Sequence, residues 1–220
     1  MITKKYAEFF EGLTNNNNRD WFQENKNYYE EDVKKPFLSL LEKVISDLME
    51  LSSDISPNAK DALFRINRDI RFSNDKTPYN TLMKAGFAPG GKKSFLPGYY
   101  LGISADKIHV GGGLFNLKAP ELKLVRNMIV DDPDEFVDII SSKSFKETFG
   151  ELMGEQAKRV DVNFQATLKK TPYIANKQFY AMSAIPLKEY FGSEQLPHLV
   201  LKYFREIHKL NSYLNRAFIN

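Results

Sequence analysis

Hydrophobic periodicity changes twice along this chain, and the order of those changes restricts the available folds more than any other feature. Residues 3–51 place apolar side chains at helical spacing. Tyr6, Phe9, Phe10 and Leu13 follow i, i+3, i+4, i+7; Trp21, Phe22, Tyr28 and Tyr29 come next. Pro36 suits a first helical turn, and Phe37, Leu40, Leu41, Val44, Ile45, Leu48 and Met49 form one stripe behind it. The run Asn15 to Asn18 reads as a turn that caps the following helix. The period then becomes two. Strands are expected over 64–72, 82–88, 99–104 and 107–112, the last two joined through Ala105-Asp106 as a hairpin. From Pro120 the helical period returns over 121–130, after Pro133, and over 145–152. A further strand is expected at 179–185 and a final amphipathic helix at 199–218. Short links between strands imply antiparallel pairing. The prediction is one α+β domain over 1–220: a mostly antiparallel sheet of four or more strands, packed by N- and C-terminal helices.

Composition narrows the functional classes. The apolar share is 42%, including 17 Phe and 11 Tyr, enough for a sizeable aromatic core. Lys and Arg total 31 against 28 Asp and Glu, interspersed, for a net charge of +3. That lacks the long-range basic field of a duplex-binding protein, and no basic helix or RNP-type motif is present, so nucleic acid is a disfavoured partner. Absence of Cys excludes disulfides, thiolate metal sites and a Cys nucleophile. No apolar run reaches the length of a membrane span and the first residues carry no signal-peptide pattern, so a cytoplasmic location is expected.

Chemistry concentrates in residues 65–79. Arg65, Arg68, Arg71 and Lys76 stand beside Asp69, Asp75 and Tyr79. Read as a strand, one face carries Phe64, Ile66, Arg68, Ile70 and Phe72, and the other Arg65, Asn67, Asp69 and Arg71. The expectation is an interior strand with Arg68 largely buried against a carboxylate or several backbone carbonyls. Four cations against two carboxylates leave a positive surplus, which suits a small anionic ligand. Arg supplies planar forks for phosphate or carboxylate. Backbone N–H groups around Gly111 to Gly113 are candidate additional donors. Arg65, Arg68, Arg71 and Lys76 are therefore the candidate ligand-binding residues, Asp69 the candidate acid/base and Tyr79 a candidate hydrogen-bond donor in catalysis. The bland alternative is an ion-pair network with function elsewhere.

Other features read as structural. Trp21, Asn25, Tyr28 and Tyr29 form a core stripe with polar ends. His109 reads as a satisfied strand residue, and His198 and His208 as surface or packing residues. The triplet Gly111-Gly112-Gly113 lacks a phosphate-loop pattern and reads as a bulge or close approach. The basic, glycine-rich Gly90-Gly91-Lys92-Lys93 reads as an exposed loop. No His, Asp or Glu set has metal-ligand spacing, so no metal ligand is assigned. No pattern names a cofactor or an oligomeric state.

Arg65, Arg68, Asp69, Arg71, Phe72, Lys76, Pro78 and Tyr79 match R-x-x-R-D-x-R-F-x-x-x-K-x-P-Y, the signature of a mainly bacterial family, domain of unknown function 2461. The chain also resembles it at Asn18-Arg19-Asp20-Trp21-Phe22 with Asn25, Lys26 and Tyr29, and at Pro97-Gly98-Tyr99-Tyr100 leading to His109-Val110-Gly111-Gly112-Gly113. The resemblance implies a whole-chain domain with the charged motif as its site, and no particular reaction. Two readings follow for that site: an enzyme acting on a small phosphate- or carboxylate-bearing substrate, or a non-catalytic module that binds an anionic metabolite.

Overall fold

The computed structural model describes residues 1–56 and 58–219. Helix α1 (Lys4–Asn15) is followed by α2 (Arg19–Glu24) and by α3 (Lys26–Tyr28). A π-helical turn (Tyr29–Lys34) leads on into α4 (Lys35–Leu51) and the short α5 (Ala59–Ala62). Strands β1 (Met83–Phe87), β2 (Gly98–Ile103) and β3 (Lys107–Leu114) form an antiparallel meander. Helices α6 (Ala119–Asp131), α7 (Pro133–Ser141), α8 (Lys143–Phe149) and α9 (Gln165–Leu168) intervene before β4 (Phe179–Pro186) pairs antiparallel with β3. Helix α10 (Leu196–Asn215) ends the fold. The strand order is β1-β2-β3-β4, an α+β architecture of the expected kind.

Strand parity divides the sheet sharply. Met83, Ala85, Phe87, Leu101, Ile103, Ile108, Val110, Leu114, Phe179 and Ala181 point to one face and are buried. Helix α10 lies on β2 and β3 and against α4. It brings Val200, Leu201, Phe204, Ile207 and Leu210 into the same core. Phe204 meets the ring of Phe87 edge-on at 5.7 Å and that of Tyr99 at 5.1 Å. At the end of β2, Tyr6 of α1 donates to the Ile103 carbonyl at 2.9 Å. Terminal helices and sheet thus share one buried cluster running from Ile2 to Leu214.

The N-terminal turn behaves as its asparagines predict. Asn18 accepts from the Trp21 N–H at 2.9 Å and starts α2. Asn17 does something the sequence did not announce. Its side chain donates to the Tyr79 carbonyl at 3.0 Å and accepts from the Tyr79 N–H at 3.1 Å, so one amide side chain imitates a β-bridge.

The expected strand over 64–72 does not form. This segment makes one isolated bridge, Asn67 to Tyr79, and the residue before it another, Leu63 to Ala85 of β1. The reason is local competition for backbone groups. The Asp69 carboxylate accepts from the Arg71 N–H at 3.3 Å, the Asp75 carboxylate accepts from the Thr77 N–H at 2.9 Å, and the Ser73 N–H turns back to the Ile70 carbonyl. Short polar side chains therefore curl the chain into a loop spanning 68–78. Its base is closed by Arg68 N–H to the Pro78 carbonyl and Asn80 N–H to the Ile66 carbonyl, both 2.8 Å.

Candidate functional site

The loop places most of the sequence-nominated residues in solvent rather than under helices. Phe72, expected in the core set, is 95% exposed at the tip. Arg71 grips Asp69 with both Nε (2.9 Å) and Nη2 (2.6 Å), yet its side chain is 77% exposed. Arg68 is the partly buried member, at 24% side-chain exposure, and pairs with Asp75 and Thr77. The expected carboxylate partner is thus present, although burial is incomplete. Lys76 donates to the Ile70 carbonyl at 3.1 Å. Among the described residues, Arg65 and Lys76 have no carboxylate within ion-pair distance. Arg71 and Arg65 together hold the Asp69 carboxyl at about 2, and bonds from Thr77 and Arg68 hold Asp75 at about 2. Both aspartates are ionised over the whole physiological range.

Tyr79 sits apart from the loop tip. It is 5% exposed and stacks on Phe22 with ring centroids 4.1 Å apart. Its backbone is clamped by Asn17. The family-like segments around Trp21 and around Tyr79 therefore meet in space, and the meeting is made of packing and backbone hydrogen bonds.

An aromatic-walled concavity lies elsewhere, on the sheet face that α10 does not cover. It is a cleft of about 610 Å³ whose floor is built from Lys84, Gly86, Tyr100, His109, Gly113, Tyr180 and Met182. These belong to the parity opposite to the core set. Both edges of the sheet are extended by single bridges that raise the walls. At the β1 edge Leu63 pairs with Ala85 and sets Phe64 on the rim; at the β4 edge Met153 pairs with Tyr180. Phe115, after β3, packs on Tyr180 at 4.7 Å and faces Tyr100 at 6.4 Å. Gly113 has φ +124°, a conformation reserved for glycine, which explains part of the glycine triplet. The triplet lies within β3, paired on both sides with β2 and β4, so its backbone is occupied by the ladders rather than available to an anion.

The charged residues lining this cleft are Lys84 and Lys92, joined by His109; among the described residues no carboxylate lines it. Lys84 donates to Asn80 Oδ1 at 3.0 Å, and Asn80 is itself tied to the Ile66 carbonyl at 2.8 Å. Lys92 donates to the Leu63 carbonyl at 2.7 Å and lies 5.8 Å from the Phe64 ring centroid. Burial, aided by the positive charge of Arg68, lowers the Lys84 pKa below the ordinary lysine value. Burial also lowers His109, with Asp106 and Lys107 acting in opposite directions, and lifts Tyr100 to about 12. Half-buried ammonium groups without a counter-ion favour an incoming anion, and the aromatic walls favour an apolar or planar body attached to it.

None of Arg65, Arg68, Asp69, Arg71, Lys76 and Tyr79 lines the cleft. The loop is nonetheless its neighbour: Phe64 and Leu82, which bracket it, are both wall residues, and Arg68 is felt at Lys84. Lys84, Lys92, Tyr100 and His109 escaped nomination because each looks ordinary alone. Their signal is alternation with glycine, Lys84 with Gly86, Tyr100 with Gly102 and His109 with Gly111, which marks a sheet face that no helix packs. Among the described residues no group of three His, Asp or Glu side chains converges on a possible metal site. No helix of the described residues is long and apolar enough to cross a membrane.

No curated protein matches the chain. The family model described as conserved hypothetical protein (DUF2461) matches residues 5–213, nearly the whole length. The chain therefore belongs to the DUF2461 family.

Proposed function

We propose that this protein binds a small anion carrying an apolar or aromatic portion, in the cleft on the uncovered face of its sheet. One observation carries the reading: the charged residues of that cleft are lysines that have no carboxylate partner among the described residues, set among aromatic walls. Burying uncompensated ammonium groups costs stability. A site that accepts this cost is one in which a ligand supplies the missing charge. Lys84 and Lys92 contact the anionic group, and Phe64, Phe115, Tyr100 and Tyr180 enclose the rest. The loop over 68–78 is then a braced rim. Arg71 with Asp69, and Arg68 with Asp75, hold its shape. This keeps the anionic ligand class expected from the sequence and moves its contacts from the charged motif to the strands beside it.

A thermal-shift series tests the proposal with phosphate, sulfate, aliphatic dicarboxylates and aromatic carboxylates. A ligand that binds only the folded state stabilises by about 2.7 kcal/mol at 100 times its dissociation constant. The expected result is a rise in Tm for the wild type, largest with aromatic anions, and none for the Lys84→Ala/Lys92→Ala double variant. A shift that survives in this variant and vanishes in Arg65→Ala/Lys76→Ala would return the site to the loop. No shift with any anion would reject anion binding altogether.

A further inference from the structure

The lining of the cleft changes character from one edge of the sheet to the other. Both ammonium groups belong to the β1 edge. Lys84 stands on β1 itself and donates to Asn80 Oδ1 at 3.0 Å; Lys92 follows β1 and donates to the Leu63 carbonyl at 2.7 Å. Gly86 of β1 shows where the second lysine lies, since a Cβ there would come 3.4 Å from Lys92 Cβ and 3.1 Å from Phe64 Cε2. An ammonium carries three donors, so each lysine keeps two for a ligand while its position is fixed from outside the cleft. The β4 edge is apolar and aromatic. Tyr180 and Met182 stand on β4, Met153 is bridged to Tyr180, and the Phe115 ring packs on Tyr180 with centroids 4.7 Å apart. Between the edges, Lys84, Gly102 of β2 and His109 of β3 share one row of the register. Tyr100 leans into that row, because a Cβ at Gly102 would lie 2.9 Å from its hydroxyl. Gly98 and Gly113, paired across β2 and β3 on the other side of Tyr100, line the cleft without a side chain. A bare track therefore runs past Tyr100, from Lys92 and Phe64 to Tyr180, the partner of Gly113 on β4.

We propose, on the basis of the anion-binding reading, that the ligand is an elongated aryl-alkyl anion lying across the strands, its head group at the lysines of the β1 edge and its ring among Phe115, Tyr180 and Met182. Three strand spacings separate β1 from β4, about 14 Å in all, and side chains reach inward from both edges. A ring that carries its carboxylate directly is too short to meet both ends. An extended chain advances about 3.8 Å over three bonds, so a linker of roughly three to five methylenes joins them. The two ends differ in what they recognise. Ammonium groups make charge-assisted hydrogen bonds to any carboxylate or phosphate oxygen. The far end discriminates by shape. The tilted rings of Phe115 and Tyr180 accept a further ring edge-on or offset, and the thioethers of Met153 and Met182 favour contact with an aromatic edge. Head and body are thus held by different elements, which makes the distance between them the determinant of affinity.

Phenylalkanoates of increasing length are the probes, from benzoate and phenylacetate upward, each titrated against the full chain by thermal shift and calorimetry. Affinity is expected to rise about tenfold or more from benzoate to the member with roughly four methylenes, as apolar area is buried, and to stop rising beyond it. An alkanoate of equal length without the ring should bind several-fold more weakly. The Lys84→Met/Lys92→Met double variant should weaken every member alike, whereas Phe115→Ala should cost the long member about fivefold more than it costs benzoate. The position of the ring is read in the wild type from methionine ε-methyl resonances. Those of Met153 and Met182 should move upfield with the long phenylalkanoate and not with the alkanoate, while Met83, buried on the core face, should not respond. Affinity that is flat with length, or a bound long member that leaves Met153 and Met182 unmoved, overturns the crosswise ligand even where anions raise the Tm, and the anion site then stands alone. No binding by any member, with no shift from phosphate or sulfate either, rejects the anion site and this ligand together. Should either variant fail to fold, the wild-type length series and methyl shifts decide.

Discussion

The loop over 68–78 and the floor of the cleft treat charge in opposite ways, although they share a border at Phe64 and Leu82. In the loop, arginines meet carboxylates close by in sequence, Arg71 with Asp69 in solvent and the partly buried Arg68 with the exposed Asp75. On the floor, Lys84 and His109 stand half-buried beside glycines, and Lys84 has one neutral hydrogen-bond partner. Exposed ion pairs contribute little to stability, because water screens them and ordering long side chains costs entropy. Partly buried cations without a counter-ion are a standing cost. The comparison teaches that density of charge in a sequence marks where charge is satisfied, whereas scarcity of partners in the structure marks where a ligand is expected.

The largest effect that would break this contrast falls at the loop's anchor. Tyr79→Ala empties a buried position stacked on Phe22 and should destabilise by about 3–5 kcal/mol in denaturant titration. Tyr79→Phe should match the wild type in stability and in anion-dependent shift. A phenylalanine variant that stays folded and loses ligand response would restore Tyr79 to the site.

The next effect belongs to the floor. Gly102→Ala pushes a methyl against the Tyr100 hydroxyl. It should cut the ligand-dependent rise in Tm by half or more, with a loss of roughly 1–3 kcal/mol in the free protein from overpacking. An unchanged ligand response would place the anion away from the row of Lys84, Gly102 and His109.

Smaller changes separate the two loop arginines. Arg68→Ala removes a partly buried guanidinium bonded to Asp75 and Thr77, and should lower the Tm by about 2–4 °C. Arg71→Ala should leave the Tm within error, since its pair with Asp69 is exposed. Equal losses for both would mean that the loop is more buried in solution than its exposures indicate.

The smallest effect is acid dependence. The folded-state pKa values of Asp69 and Asp75 are depressed from the usual carboxylate range to about 2. Their contribution is therefore complete above the unfolded-state pKa, near 4, and is lost as pH falls through about 2. Asp69→Asn and Asp75→Asn should each flatten the fall of Tm between those values slightly, because each removes a small contribution that the wild type has at pH 7 and loses in acid. A variant whose acid limb matches the wild type would show that the carboxylate is unpaired in solution.

Most of the architecture was legible from side-chain period alone. The four strands observed lie within two residues of those read from alternation, and the capped turn at Asn18 and the terminal helices follow from helical spacing and polar breaks. These are consequences of local chemistry, in which burial of one face imposes a repeat on the chain. The segment 64–72 misled because its apolar residues alternate like a strand, while Asp69, Ser73 and Asp75 offer its backbone closer partners than a neighbouring strand does. Parity in a single strand also cannot say which face a helix will cover. Only the packing of α10 onto β2 and β3 decided that Met83, Leu101 and Val110 face the core, leaving Lys84, Tyr100 and His109 on the open side. The candidate site is assembled from residues on all four strands and the segments that flank them, each unremarkable in its own stretch of sequence. Their proximity arises from sheet register and from the absence of a covering helix, which are properties of the folded chain and not of any segment of it.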